Sequence, residues 1–138
     1  MHRHSEYIER LGQAYEGEVA GAAYFRRLAG GFPEKREFFL RCCHLEQQTA
    51  AALHELVTRY RCPARPAPEL AAQGEREAQL EIARGLPALF RTSIEEYPRY
   101  LAGFLELEAL APAQDRPMVA ALAEHEAQLI AWMRAEQA

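Results

Sequence analysis

Three glutamates occupy positions where the pattern around them calls for leucine. Glu18, Glu46 and Glu126 each interrupt an apolar stripe near the middle of a predicted helix. The stripes run Ile8, Leu11, Tyr15, Glu18, Ala22, Phe25; Phe39, Cys42, Glu46, Thr49, Leu53, Val57; and Val119, Leu122, Glu126, Leu129, Met133. Steps of three and four residues keep one face of an α-helix turned toward the core. An ionised carboxylate on that face carries a desolvation cost of several kcal/mol, on the scale of a domain's net stability. It must be protonated, hydrogen-bonded, paired with a cation or bound to a metal ion. Three such residues at similar depth define a candidate site.

The elements that must position them follow from the stops and caps. Ser5 is a good N-cap for a first helix running to about Ala29, where Gly30-Gly31-Phe32-Pro33 ends it. Pro33 suits the first turn of a second helix that continues to about Arg61. The stretch Cys62-Pro63-Ala64-Arg65-Pro66-Ala67-Pro68 is predicted as a non-helical linker. Glu69 to Arg84 is polar and weakly striped, which predicts a short, exposed connecting helix ending at Gly85. A strong helix follows from about Pro87 to Leu110, with the stripe Phe90, Ile94, Tyr97, Leu101, Phe104, Leu105 and a bend at Pro98. Ala111-Pro112-Ala113-Gln114 is a turn, after which Asp115 caps a last helix reaching the C-terminus. No window alternates like a strand, so the predicted class is all-α. The four long helices pair as two antiparallel hairpins joined by a long crossover, a known four-helix topology.

A bundle of this topology with inward carboxylates at mid-height resembles the ferritin-like superfamily, rubrerythrin-like proteins above all. Gly17-Glu18-Val19-Ala20-Gly21-Ala22-Ala23-Tyr24-Phe25 looks like the first-helix segment that carries a metal-binding glutamate there. Leu45-Glu46-Gln47-Gln48-Thr49 and His125-Glu126-Ala127-Gln128-Leu129 fall where the second and fourth long helices would carry Glu-x-x-His. The resemblance implies a metal set of Glu18, Glu46 and Glu126, with Glu96 as the nearest glutamate on the third long helix. Both histidines of the pattern are absent, since Thr49 and Leu129 stand in their places. His125, on the plausible stripe Leu122, His125, Leu129, is the nitrogen ligand the sequence offers instead. His54 lies eight residues beyond Glu46, roughly 12 Å along the axis, too far to share its site. An oxygen-rich set of this kind suits iron or manganese, and the resemblance implies iron oxidation or oxygen- and peroxide-linked redox chemistry.

A competing expectation is a metal-free structural or interaction bundle. Its core glutamates would form a polar layer hydrogen-bonded by Tyr15, Tyr97, Tyr100, Gln48, Thr49 and His125. Composition narrows the remaining classes. A chain of 138 residues, 49% hydrophobic and 26% charged, suits one globular domain. A formal net charge of -4 without a basic block argues against nucleic-acid binding. The start, Met1 to Glu6, has no apolar segment behind it, and no apolar run approaches a membrane span. The expected setting is therefore the cytoplasm, with symmetric dimerisation as the default assembly. Cys42, Cys43 and Cys62 form no framework and no CxxC motif, and Cys42 is expected to pack as a small apolar side chain.

Overall fold

The computed structural model describes residues 2–137. Over that range the chain is all-α, as its patterning predicts, with five helices and no strand among the described residues. They are α1 (His2–Gly31), α2 (Arg36–Arg59), α3 (Ala67–Arg84), α4 (Leu86–Leu110) and α5 (Arg116–Gln137), with a 3-10 turn at Pro33–Lys35 before α2. The predicted ends shift by a few residues. Helix α1 already includes His2 and continues through Gly30-Gly31. Helix α3 begins inside the predicted linker, because Pro68 in its first turn needs no helical donor. The predicted continuation of α5 to Ala138 lies outside the described residues.

Helix α1 packs chiefly on α2 and α3, and α4 packs chiefly on α5. Cross-helix contacts give the directions. Phe25 faces Phe39 and Tyr7 faces Tyr60, so α2 runs antiparallel to α1. Arg3 donates to the Ala109 carbonyl and Arg10 to Glu106, so α4 also opposes α1. Arg41 of α2 lies over the Trp132 ring of α5, 4.7 Å from its centroid. Glu16 meets Arg65 and Arg27 meets Gln79, which sets α3 parallel to α1. The crossover therefore passes Gly12 and Glu16 without helix and continues as α3 along the C-terminal half of α1.

This corrects the expectation of an exposed connector. Helix α3 has 18 residues and buries Leu70, Gly74 and Ala78 against its neighbours. The approach is close at Gly74, where an added Cβ would lie 2.1 Å from the Ala20 carbonyl oxygen and 3.0 Å from the Tyr24 nitrogen. Weak apolar striping hid the docking, because beyond Leu70 small residues make this seam.

The apolar core falls into two clusters. One contains Phe25, Leu28, Phe39, Cys42, Leu89, Phe90, Leu129 and Met133. The other contains Tyr7, Leu11, Leu53, Leu56, Leu107, Val119 and Leu122. Helices α1, α2 and α5 each pass from one cluster to the other through a glutamate: Glu18, Glu46 and Glu126. Cys42 packs as expected, its thiol pushed up to about 12 by burial, and all three cysteines are buried and free. The middle of α4 departs from its predicted stripe. Ile94, Tyr97, Leu101 and Phe104 are only half-buried and Leu105 is exposed, although the helix runs unbroken through Pro98.

Asp115 is also not the side-chain cap predicted for it. Its main-chain carbonyl accepts from Met118 and Val119, whereas its Oδ2 accepts from Tyr7 Oη at 3.0 Å and Tyr60 Oη at 2.5 Å. The side chain is fully buried with the Arg59 guanidinium 3.6 Å from Oδ1, so one carboxylate ties α1, α2 and the start of α5.

Two measurements check this architecture. Gly74→Ala should lower the urea midpoint by the equivalent of about 1–3 kcal/mol, since backbone lies on the far side of the contact. Gly103→Ala, where an added Cβ meets nothing within 4 Å, should instead stabilise by about 0.5–1 kcal/mol. A loose α3 would give the two alanines the same sign. Asp115→Ala should cost about 2–4 kcal/mol in the same assay, because it removes the acceptor of one buried and one part-buried tyrosine hydroxyl; a loss below about 0.5 kcal/mol would show the clasp to be idle.

Candidate functional site

Between α1, α3 and α4 the packing opens into a cavity of about 490 Å³, with α2 and α5 contributing at its floor. Six glutamates line it: Glu18 from α1, Glu46 from α2, Glu77 and Glu81 from α3, Glu96 from α4 and Glu126 from α5. Five aromatic rings share the wall: Tyr24, Phe25, Tyr97, Tyr100 and Phe104. One basic residue, Arg84, borders it. A roomier groove of about 790 Å³ runs past His4, Ile8, Gln13 and Arg65, but its glutamates, Glu9 and Glu16, both belong to α1. Only the first cavity gathers carboxylates from separate helices at the gap in the core.

The floor is buried and acidic. Glu18 is 5% exposed and Glu126 is 7% exposed. Burial, followed by the neighbouring Glu126 charge, holds the Glu18 carboxyl well above the usual carboxylate range. Burial alone lifts Glu126 from 4.5 to about 7. Neither carboxylate finds a hydrogen-bond donor among the described residues. Glu46 is half-buried and lies against the main chain at Gly21, where an added Cβ would be 3.0 Å from its Oε1. Glycine at that position thus makes room for a carboxylate beside α1.

The mouth is formed by α3 and α4. Glu77 accepts from Gln73 at 3.0 Å, and Glu81 sits 3.5 Å from Arg84. The Tyr24 phenol is pushed up by burial and then by Glu81, Glu77 and other acidic neighbours, which places its hydroxyl among the mouth carboxylates. Tyr100 is raised by burial and then by Glu96 and Glu126. Tyr97 is raised well above its ordinary value, mainly by burial.

Four of the five residues singled out by sequence therefore meet in one cavity: Glu18, Glu46, Glu96 and Glu126. His125 is not among the lining residues. Its Nδ1 is in hydrogen-bond contact with Thr49 Oγ1, which also donates to the Leu45 carbonyl at 2.9 Å. Residue 125 lies on the seam between α2 and α5, about 100° around the helix from Glu126. Sequence reasoning missed Glu77 and Glu81. Their i,i+4 spacing three residues beyond Gly74 was the available signal, since a close helix contact at that glycine turns the next turns toward α1.

The donors present are carboxylate and phenol oxygens, a chemistry that fits hard divalent ions in kind. As the chain stands, no group of three or more His, Cys, Asp or Glu side chains among the described residues is gathered closely enough to hold a metal ion.

Stability against pH tests the floor. Folding favours the protonated form of Glu126, so its contribution is complete below pH 4.5 and is lost as the pH rises to about 7, where the folded carboxyl also ionises. Glu18 acts in the same direction. Compared with Glu126→Gln, metal-free wild-type protein should lose roughly 2.5 kcal/mol of unfolding free energy between pH 5 and pH 8. Parallel pH profiles for the two proteins would contradict a buried, donor-free carboxyl at Glu126.

No helix among the described residues is long and apolar enough to cross a membrane. Compared with known proteins, the chain matches no family model, no curated protein and no solved structure.

Proposed function

We propose that the protein is a ferritin-like helical bundle whose histidine-poor carboxylate centre binds a hard divalent cation, iron or manganese, for oxygen- or peroxide-linked redox chemistry. The observation that carries this reading is the pair Glu18 and Glu126. Both are buried, both face one cavity, and both lack a donor among the described residues. A cation between them would relieve both desolvation and mutual repulsion. The pairing of α1 with α2 and α4 with α5, joined by a crossover that passes along α1, supports the architectural half of the proposal.

In this reading Glu18, Glu46 and Glu126 would draw together around the ion on loading, since as the chain stands they are not gathered closely enough to hold one, with Glu96 reaching in from α4. Thr49 holds His125 through Nδ1 on the α2–α5 seam, outside the cavity lining, so in this reading its role is to position α5. Phe25, Tyr97 and Phe104 line the cavity beside these carboxylates, and their apolar surface strengthens charge interactions there. A bound iron or manganese ion would supply the one-electron chemistry that no side chain here can perform.

The competing reading, a metal-free bundle with a hydrogen-bonded polar layer, needs donors to these carboxylates. Thr49 and His125 bond to each other, and the Tyr15 ring lies beside His54, 6.0 Å between centroids. Untagged protein loaded anaerobically with ferrous or manganous ion, then desalted, should retain near-stoichiometric metal by elemental analysis. Glu18→Gln and Glu46→Ala should each weaken retention by roughly tenfold or more. Metal-free wild-type protein after loading would contradict the metal centre and favour the structural layer.

A further inference from the structure

The floor of the cavity accounts for three of its six glutamates. The other three, Glu77, Glu81 and Glu96, ring its mouth, where a metal held at the floor would not need them. Against six carboxylates the lining offers a single guanidinium, Arg84, already 3.5 Å from Glu81. Glu96 has no ion pair among the described residues, and Glu77 accepts only from the neutral Gln73 amide. Glu77 and Glu96 therefore leave uncompensated negative charge at the exposed mouth of the cavity, which attracts cations.

Aromatic and apolar surface lies at the same place. Tyr97 and Tyr100 sit side by side, 6.0 Å between centroids, and Tyr24 lines the same cavity beside Glu77 and Glu81. Leu80 and Tyr100 are 61% and 52% exposed at the rim, so much of both side chains faces outward. A small inorganic cation uses none of that surface, whereas a cation carrying an apolar body uses all of it. Carboxylate paired with the faces of tyrosine rings is the chemistry that recognises ammonium groups. A volume of about 490 Å³ lies in the range of small-molecule sites. The buried, donor-free carboxyls of Glu18 and Glu126, aimed into the same space, show that the cavity as a whole is short of positive charge.

We infer that the mouth of this cavity seats the ammonium group of an organic amine, its apolar body lying against Tyr97, Tyr100 and Leu80. This rests on the reading of the cavity as a cation site, and it names the class of small molecule brought to that site. The amine is held at Glu77, Glu81 and Glu96, and its body covers the exposed rim.

Phenethylammonium is a suitable probe, with 2-phenylethanol as the neutral isostere and 3-phenylpropionate as the anion. Titration calorimetry at 150 mM salt, on full-length protein with and without manganous ion, should detect saturable binding of the ammonium alone. Glu77→Gln/Glu81→Gln should weaken that binding by about fivefold to tenfold while leaving manganese retention and the far-UV spectrum unchanged. Equal binding of the alcohol, or an ammonium affinity untouched by the double substitution, would overturn the inference. Retained manganese with no ammonium binding would overturn it and leave the metal centre standing. Ammonium binding without manganese retention would support the inference and remove the metal from the proposed function. Loss of both would end the cation reading altogether.

Discussion

Burying a carboxylate without a donor is the constraint around which this molecule is arranged. An isolated ionised carboxyl inside a protein costs more than a domain's whole stability margin, so the group protonates or recruits a cation. Glu18 and Glu126 face that choice together in one space. The consequence reaches into the packing. A continuous apolar core cannot pass through such a layer, and the core accordingly divides into one cluster around Phe25, Phe39 and Phe90 and another around Tyr7, Leu53 and Leu122. The opening between them is the cavity.

Each end is closed by different means, which leaves the middle free to be loose. At one end Asp115 collects the hydroxyls of Tyr7 and Tyr60, so that α1, α2 and α5 share one buried charge. At the other end aromatic rings interleave, with Phe38, Phe39 and Phe90 within 5.2–6.4 Å of one another by centroid. Helix α3 adds a seam of mostly small residues along α1 and carries Glu77 and Glu81 to the mouth. The half-buried middle of α4 then becomes intelligible: it borders the cavity on one side, with no further helix against its outer face among the described residues. Binding sites draw on such weakly packed segments, because a tightly packed one has no room to receive anything.

Much of this was legible in the sequence, and the reasons are specific. Apolar stripes of period near 3.6 located α1, α2, α4 and α5, and the same stripes exposed Glu18, Glu46 and Glu126 as interruptions. Packing left less trace. Gly74 reads as a helix-weakening residue in sequence, yet it is the point where α3 touches the α1 backbone. Asp115 reads as a cap, yet partners more than fifty residues away take its carboxylate. Glu96 lies one turn from the level expected for it and still lines the cavity, since a glutamate side chain and an open helix seam cover that distance. His125 shows the opposite limit. Being adjacent in sequence to a core glutamate put it on a neighbouring face, where Thr49 holds it.

The central claim is that the donor-free carboxyls at the floor are a cation site. The most direct test is anomalous scattering from crystals of the manganese-loaded protein, collected near the manganese edge. The account predicts one dominant anomalous peak inside the cavity, within coordination distance of carboxylate oxygens from Glu18, Glu46 and Glu126. Protonated, metal-free carboxyls in that density, with manganese only on the surface or absent, would contradict it.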